Sequence, residues 1–325
     1  MGYRSTKNLA IFTSLQLLII SVAVGLVSAT GIPSGVHGIT VSPALQQISI
    51  PRGQPSYTFN TGLANNTSQT VVVQLSARDF TGLNESGAIS FLTPQKSNSN
   101  VHSLAQNITF ELSQFVLTPY QTTTVPITIV NANELSNGGH YAAIIYKVTS
   151  APVHGISNPV SVNEAVSSLV FVTTIGTGTQ SLALQYASIG DISLTFPNTV
   201  NLVLTDKGNT QTVPTGVVQI TNANNAIVSQ TEINTTSNLI LPQFSREFKI
   251  SLTSYKFNPP TGYYTFKFYY KTPAQMGYSL YEKKFIFISR QAVILAVVIL
   301  VLLIVLIAQR VKSIARINPR DKYSA

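Results

Sequence analysis

The sequence predicts an all-β protein: two tandem immunoglobulin-like β-sandwich domains, with an N-terminal signal segment ahead of them and one C-terminal transmembrane α-helix behind. Three observations predict it. Between its two apolar ends the chain has no sustained 3.6-residue apolar period but many short runs of Val, Ile, Thr, Phe and Tyr that alternate with polar residues. The chain repeats itself without a gap at an offset of 123 residues. And 17 apolar residues, Ala292–Ala308, run on without a polar interruption near the C-terminus.

Taken in chain order, Arg4 and Lys7 precede an apolar run from Leu9 to Val27, and small residues at Val27, Ser28 and Ala29 suit a signal peptidase. Residues 1–29 are therefore expected to be a signal peptide cleaved after Ala29. An uncleaved signal anchor is the alternative, because the run is long and contains Thr13, Ser14, Gln16 and Ser21.

Strand-like alternation is clearest at Thr70–Leu75, Val125–Val130, Asn201–Thr205, Val217–Thr221 and Phe248–Leu252. Clusters of Gly, Asn, Pro and Ser separate such runs, as at Ala64–Ser68, Asn137–Gly139, Lys207–Asn209, Asn222–Asn225 and Asn258–Gly262. The repeat places Pro119 on Pro242, Val125 on Phe248, Ile127 on Ile250, Gly139 on Gly262, Tyr141 on Tyr264 and Tyr146 on Tyr269. In each copy a proline turn leads to an alternating strand, a polar loop and a Gly-x-Tyr strand start. The pairs Gly139/Tyr141 and Gly262/Tyr264 are thus expected as structural tyrosine corners, ring inward and hydroxyl bonded to upstream backbone. With Gly176–Thr179 as the boundary, the first sandwich (distal) is expected over 38–176 and the second (membrane-proximal) over 180–288. Ser150–Asn163 and Phe80–Ser103 have loop composition, the latter around a short strand at Ala88–Leu92.

The C-terminal run is expected as a transmembrane helix over 290–309, followed by a basic tail, 310–325, with Arg310, Lys312, Arg316, Arg320 and Lys322. Positive residues stay in the cytoplasm, so the layout is that of a single-pass type I protein of the cell membrane with an extracellular ectodomain. The formal net charge of +9 fits this: +2 lies in residues 1–29, +2 in 30–289 and +5 in the last 36 residues. Charge that flanks membrane segments gives no support to a nucleic-acid partner. Cysteine is absent, which rules out disulfides and thiolate chemistry and leaves the fold to its apolar cores.

Residues for chemistry are sparse. His37, His102, His140 and His154 are scattered, and Asp79 and Glu85 are the closest pair of carboxylates in sequence within a domain. No phosphate loop, nucleophile elbow or HExxH pattern occurs. No catalytic residue, cofactor, metal site or small-molecule substrate is expected. Asn-x-Ser/Thr sequons at Asn65, Asn66, Asn84, Asn107 and Asn234 arise readily in so Asn- and Thr-rich a chain. Aromatics crowd the second sandwich, and alternation puts Tyr264, Phe266 and Phe268 on one face and Tyr263, Lys267 and Tyr269 on the other. These last three are a candidate partner surface, tyrosine being common at interfaces.

Two stretches, Ile39–Asp79 and Leu117–Lys147, carry a Pro-x-Gly turn before a strand with a polar Asn loop, and a proline-led strand followed by Gly-Gly and an aromatic-led strand. With the signal segment, second sandwich, single helix and basic tail, the layout is similar to the WxL-interacting cell-surface proteins of Gram-positive bacteria. That resemblance implies peptidoglycan binding by the first domain and a WxL-domain partner on the second. The reading is a non-enzymatic, membrane-anchored surface binding or adhesion protein that engages cell-wall polymer or a surface protein. The alternative is a structural or chaperone-like assembly component, and a minor one an envelope glycan hydrolase using Asp79 and Glu85.

Overall fold

A computed structural model describes residues 38–150, 163–253 and 259–317; the expected signal peptide, His37, His154 and most of the Ser150–Asn163 loop lie outside them. The first half of the chain forms β1 (Ile39–Ser42), β2 (Leu45–Ile50), β3 (Ser56–Asn65), β4 (Val71–Gly82), β5 (Ile89–Phe91), a single helical turn α1 (Pro94–Asn98), β6 (Ile108–Phe110), β7 (Gln114–Leu117), β8 (Thr122–Val130), β9 (Gly139–Ser150) and β10 (Asn163–Thr174). One sheet is ordered β1-β3-β8-β6, and the facing sheet β2-β10-β9-β4-β5, with β7 also on β4. The second half gives β11 (Leu182–Ala187), β12 (Ile192–Ser193), β13 (Thr199–Asp206), β14 (Thr215–Asn222), β15 (Ile227–Ile233), β16 (Ser245–Ser251), β17 (Gly262–Lys271) and β18 (Ser279–Phe287). Its sheets are ordered β11-β13-β16 and β12-β18-β17-β14-β15.

The two sandwiches share one plan. In each, the first strand starts in one sheet and crosses to the other, where β2 pairs in parallel with β10 and β12 in parallel with β18. The other pairings between these strands are antiparallel. The 123-residue repeat superposes β8 on β16 and β9 on β17, strands that hold equivalent places in the two sandwiches. The fold is all-β and immunoglobulin-like in both halves.

Alternation explains the cores. Along β8, Val125, Ile127 and Ile129 point inward against Phe59 and Leu63 of β3 and Val71, Val73 and Leu75 of β4. In the second sandwich Phe266 and Phe268 are fully buried with Val218, Ile220, Leu202 and Leu204. Each such side chain contributes roughly 1.5–3 kcal/mol on burial, which suits a chain with no disulfide to hold it. Buried Asn65 closes the turn after β3, donating to Gln69 O at 2.8 Å and Thr118 O at 2.9 Å. Asn234 does the same after β15, donating to Pro214 O and Asn238 O at 2.9 and 2.8 Å. Both sequon asparagines are engaged in structure.

The apolar C-terminal segment forms α2 (Arg290–Ile317), so the helix runs past the expected end at 309 and includes Arg310 and Lys312. These long side chains are good helix formers, and the helix continues through them. Arg290–Ser313 is 24 residues long, and its most apolar 18-residue stretch has mean hydropathy 3.3 with none of it buried among the described residues. At 1.5 Å per residue this is about 36 Å, enough to cross a bilayer core.

Candidate functional site

The start of β9 meets the turn after β13, and there the two sandwiches are joined by side chains and backbone together. The Tyr141 hydroxyl donates to Gln211 Oε1 at 3.0 Å and accepts from the Gln211 N–H at 2.9 Å. Gly139 N donates to Asn209 O at 2.8 Å, and the Thr173 and Thr210 hydroxyls are 3.1 Å apart. The Tyr141 ring sits among Phe80 and Phe171, with centroids 6.3 and 5.0 Å away, and Leu241 of the second sandwich completes this cluster. Burial pushes the Tyr141 phenol well above its ordinary value.

This corrects the expectation for Tyr141. Its hydroxyl serves the junction between sandwiches rather than its own upstream backbone, because Gln211 comes within reach once the second sandwich docks. Tyr264, by contrast, donates to Pro260 O, four residues upstream, at 2.7 Å. Next to the junction lies Asp206, fully buried, with Oδ1 accepting from Gly208 N at 2.7 Å and Oδ2 lacking a partner among the described residues. Burial raises its pKa to about 6.

Beside the junction opens a cleft of about 290 Å³ between the sandwiches, lined by Leu45, Phe80, Ile89, Leu169, Phe171, Leu239 and Phe244, with Arg246 at its edge. Arg246 Nη1 donates to Leu239 O at 2.9 Å, and burial lowers the guanidinium's pKa. Among the described residues the one ion pair is Lys283–Asp191 at 3.2 Å, so Arg246 has no carboxylate partner there.

Flanking the cleft, β10 presents an open edge. β2 pairs with it only over Leu169–Thr174, and no strand among the described residues pairs with the same side of Asn163–Ser168. Leu169 and Ile175 send their N–H groups to Ala44 O and Ile50 O on this side. By strand periodicity the N–H groups of Ala165 and Ser167 point the same way and face no strand among the described residues.

Tyr263, Lys267 and Tyr269 share the outer face of β17, Tyr263 exposed and the others half-buried. β17 is hydrogen-bonded on both sides, to β14 and β18, so only its side chains are on offer. The structure does bring two histidines together. His102 Nδ1 lies 2.7 Å from Gly139 O, and the ring nitrogens of buried His140 lie 3.1 and 2.9 Å from Ser103 O and Ser136 O. Both rings are committed to backbone carbonyls. Burial, with His140 nearby, lowers the pKa of His102. No group of three or more His, Asp or Glu able to hold a metal occurs among the described residues.

Asp79 and Glu85 do not form a dyad. The Asp79 carboxylate is buried and takes hydrogen bonds from Leu104 N and Ala105 N, both at 2.7 Å, and from Ser97 Oγ. Glu85 is exposed, and its carbonyl accepts from Glu247 N at 2.7 Å across the junction. Sequence reasoning missed the junction altogether. Tyr141 and Gln211 are 70 residues apart, and no local pattern in the sequence links them.

No protein-family model matches the chain, and no curated protein matches it. Solved structures similar to it include the class 5 fimbriae chaperone CfaA, at 9% identity and TM-score 0.40, covering 76% of this chain and 99% of that one. The Salmonella enterica SafA pilin in complex with the SafB chaperone matches at 8% identity and TM-score 0.38, over 78% and 98%. The E. coli chaperone DraB matches at 14% identity and TM-score 0.36, over 77% and 97%. The fold assigned above rests on the sheets themselves, not on these likenesses.

Proposed function

We propose that the protein is a non-enzymatic, membrane-anchored component of a surface assembly, holding a partner polypeptide that adds as a strand to β10. The observation that carries this reading is the open edge at Asn163–Ser168, where the Ala165 and Ser167 N–H groups face no described strand. An unpaired edge is a template for another chain, main-chain hydrogen bonds giving affinity and side-chain pockets giving specificity. The apolar cleft, lined by Leu169 next along β10 from that edge, offers such pockets. α2 supplies the anchor, and the basic residues Arg310 and Lys312 at its far end favour a cytoplasmic C-terminus with the sandwiches outside. A surface protein, of which a WxL-domain protein is one candidate from the layout, is the partner class this reading favours over cell-wall polymer.

The test is affinity capture of the full chain from crosslinked native membranes, alongside incubation with purified peptidoglycan. A defined protein partner crosslinked through residues 163–168 is the expected result. Retention on peptidoglycan with no protein partner would replace this reading with the adhesion one.

A further inference from the structure

Where the second sandwich leads into α2, β18 and its neighbours carry a row of apolar side chains. Phe285 and Phe287 of β18 are buried, so Ile286 between them faces outward. Ile286 is paired with Ile192 of β12 on one side and Tyr263 of β17 on the other. Paired residues share a face, so Ile192, Ile286 and Tyr263 stand side by side, and exposed Leu194 follows β12 just beyond its end. Three of the four are largely open: Tyr263 is 68% exposed, Ile192 63% and Leu194 59%.

These residues lie at the end of the sandwich from which the chain leaves for the helix. β18 ends at Phe287 and α2 begins at Arg290, leaving two residues between. That connection is bonded down: Ser289 N donates to Thr261 Oγ1 at 2.8 Å, Thr261 Oγ1 donates to Ser289 Oγ at 2.9 Å, and Ser289 Oγ accepts from Ala292 N at 3.3 Å in the first turn of the helix. Ile286 is four residues before Arg290, no more than about 13 Å of extended chain. With so short and fastened a link, a helix that spans a bilayer brings this row down to the lipid headgroups.

Charge follows the same gradient. The next outward residue of β18 is exposed Lys284, Lys283 pairs with Asp191 at 3.2 Å, and Arg290 opens the helix. Lys284 on the outward face of β18 and Arg290 at the start of the helix flank the apolar row, while Lys283, on the opposite parity, is neutralised by Asp191. Tyrosine and branched aliphatics at headgroup level, with lysines reaching to phosphate, are the chemistry of an interfacial anchor.

We infer that the apolar row Ile192–Leu194–Ile286–Tyr263 is a lipid-contacting surface that seats the second sandwich on an anionic bilayer. It rests on α2 crossing the membrane, and not on the partner proposed for β10. The chain has no tryptophan, so each introduced tryptophan is a single probe. The full chain is reconstituted in phosphatidylcholine–phosphatidylglycerol vesicles whose lipids carry bromine at shallow or deep positions. Four variants are compared: Tyr263→Trp and Ile192→Trp on the row, Tyr278→Trp just before the opposite end of β18 (54% exposed), and Leu300→Trp in mid-helix.

Deep bromine is expected to quench the Leu300→Trp probe. Shallow bromine is expected to quench Tyr263→Trp and Ile192→Trp several-fold more than Tyr278→Trp. If both row probes are quenched no more than Tyr278→Trp while Leu300→Trp is quenched, the seating is wrong and the anchor stands. If Leu300→Trp escapes quenching, the span itself fails and the seating with it.

Discussion

The Tyr141 hydroxyl occupies the space that a Cβ on Gly139 would fill, whereas nothing lies within 4 Å of a Cβ built on Gly262. The same Gly-x-Tyr start therefore meets two different demands. In the first sandwich the tyrosine folds back over its own glycine to reach Gln211; in the second, Tyr264 reaches Pro260 and leaves its glycine free.

Gly139→Ala is expected to cost about 1–3 kcal/mol, because the new methyl must displace the Tyr141 hydroxyl. Gly262→Ala is expected to be neutral, or stabilising by up to about 1 kcal/mol through the unfolded chain. Urea denaturation of the two variants beside the parent measures both, and equal effects would contradict the distinction.

Tyr141→Phe keeps the ring against Phe80 and Phe171 but leaves the Gln211 N–H without its acceptor. The expected loss is about 1–2 kcal/mol, concentrated at the junction. Limited proteolysis should then cut faster in the Gly176–Thr179 stretch, with cleavage inside either sandwich unchanged.

Asp206 makes stability depend on pH. Its folded pKa, about 6, lies above the ordinary 3.8, so the folded state favours the protonated carboxyl. Its contribution is full below pH 3.8 and is lost as pH rises through 6, by at most about 3 kcal/mol. Asp206→Asn is expected to remove this slope, so that its Tm relative to the parent climbs between pH 4 and pH 7. Parallel Tm curves over that range would refute the assignment.

Ala165→Pro removes an N–H that faces the open edge of β10, where proline is tolerated. Partner capture should fall strongly with little loss of stability. Val166→Pro instead removes an N–H directed toward β9, at the Val166–Tyr146 pair, and should cost about 3 kcal/mol or more. Melting curves run beside the capture assay separate the two effects.

Much of the fold was legible because strands announce themselves locally. The expected Val125–Val130 lies within β8, Asn201–Thr205 within β13 and Val217–Thr221 within β14, each strand extending a residue or more beyond the strict alternation. The offset of 123 residues marked β8 and β16 as counterparts because both bury alternate residues under the same turn chemistry. α1 was not foreseen: one helical turn, with Pro94 at its start and no buried residue, leaves no period to read. The junction and the β10 edge were invisible for a different reason. Both depend on which segments fail to meet, or meet only after each sandwich has closed, and no local pattern encodes that.

The fastening of β18 to α2 sets how the molecule bears load. A pull between the second sandwich and α2 passes through Phe287, the last residue of a strand laid between antiparallel β17 and parallel β12. Force along that strand runs across the ladder hydrogen bonds, which lie roughly perpendicular to it. They are sheared together rather than peeled one at a time, so the second sandwich is joined to α2 in the mechanically stronger of the two directions.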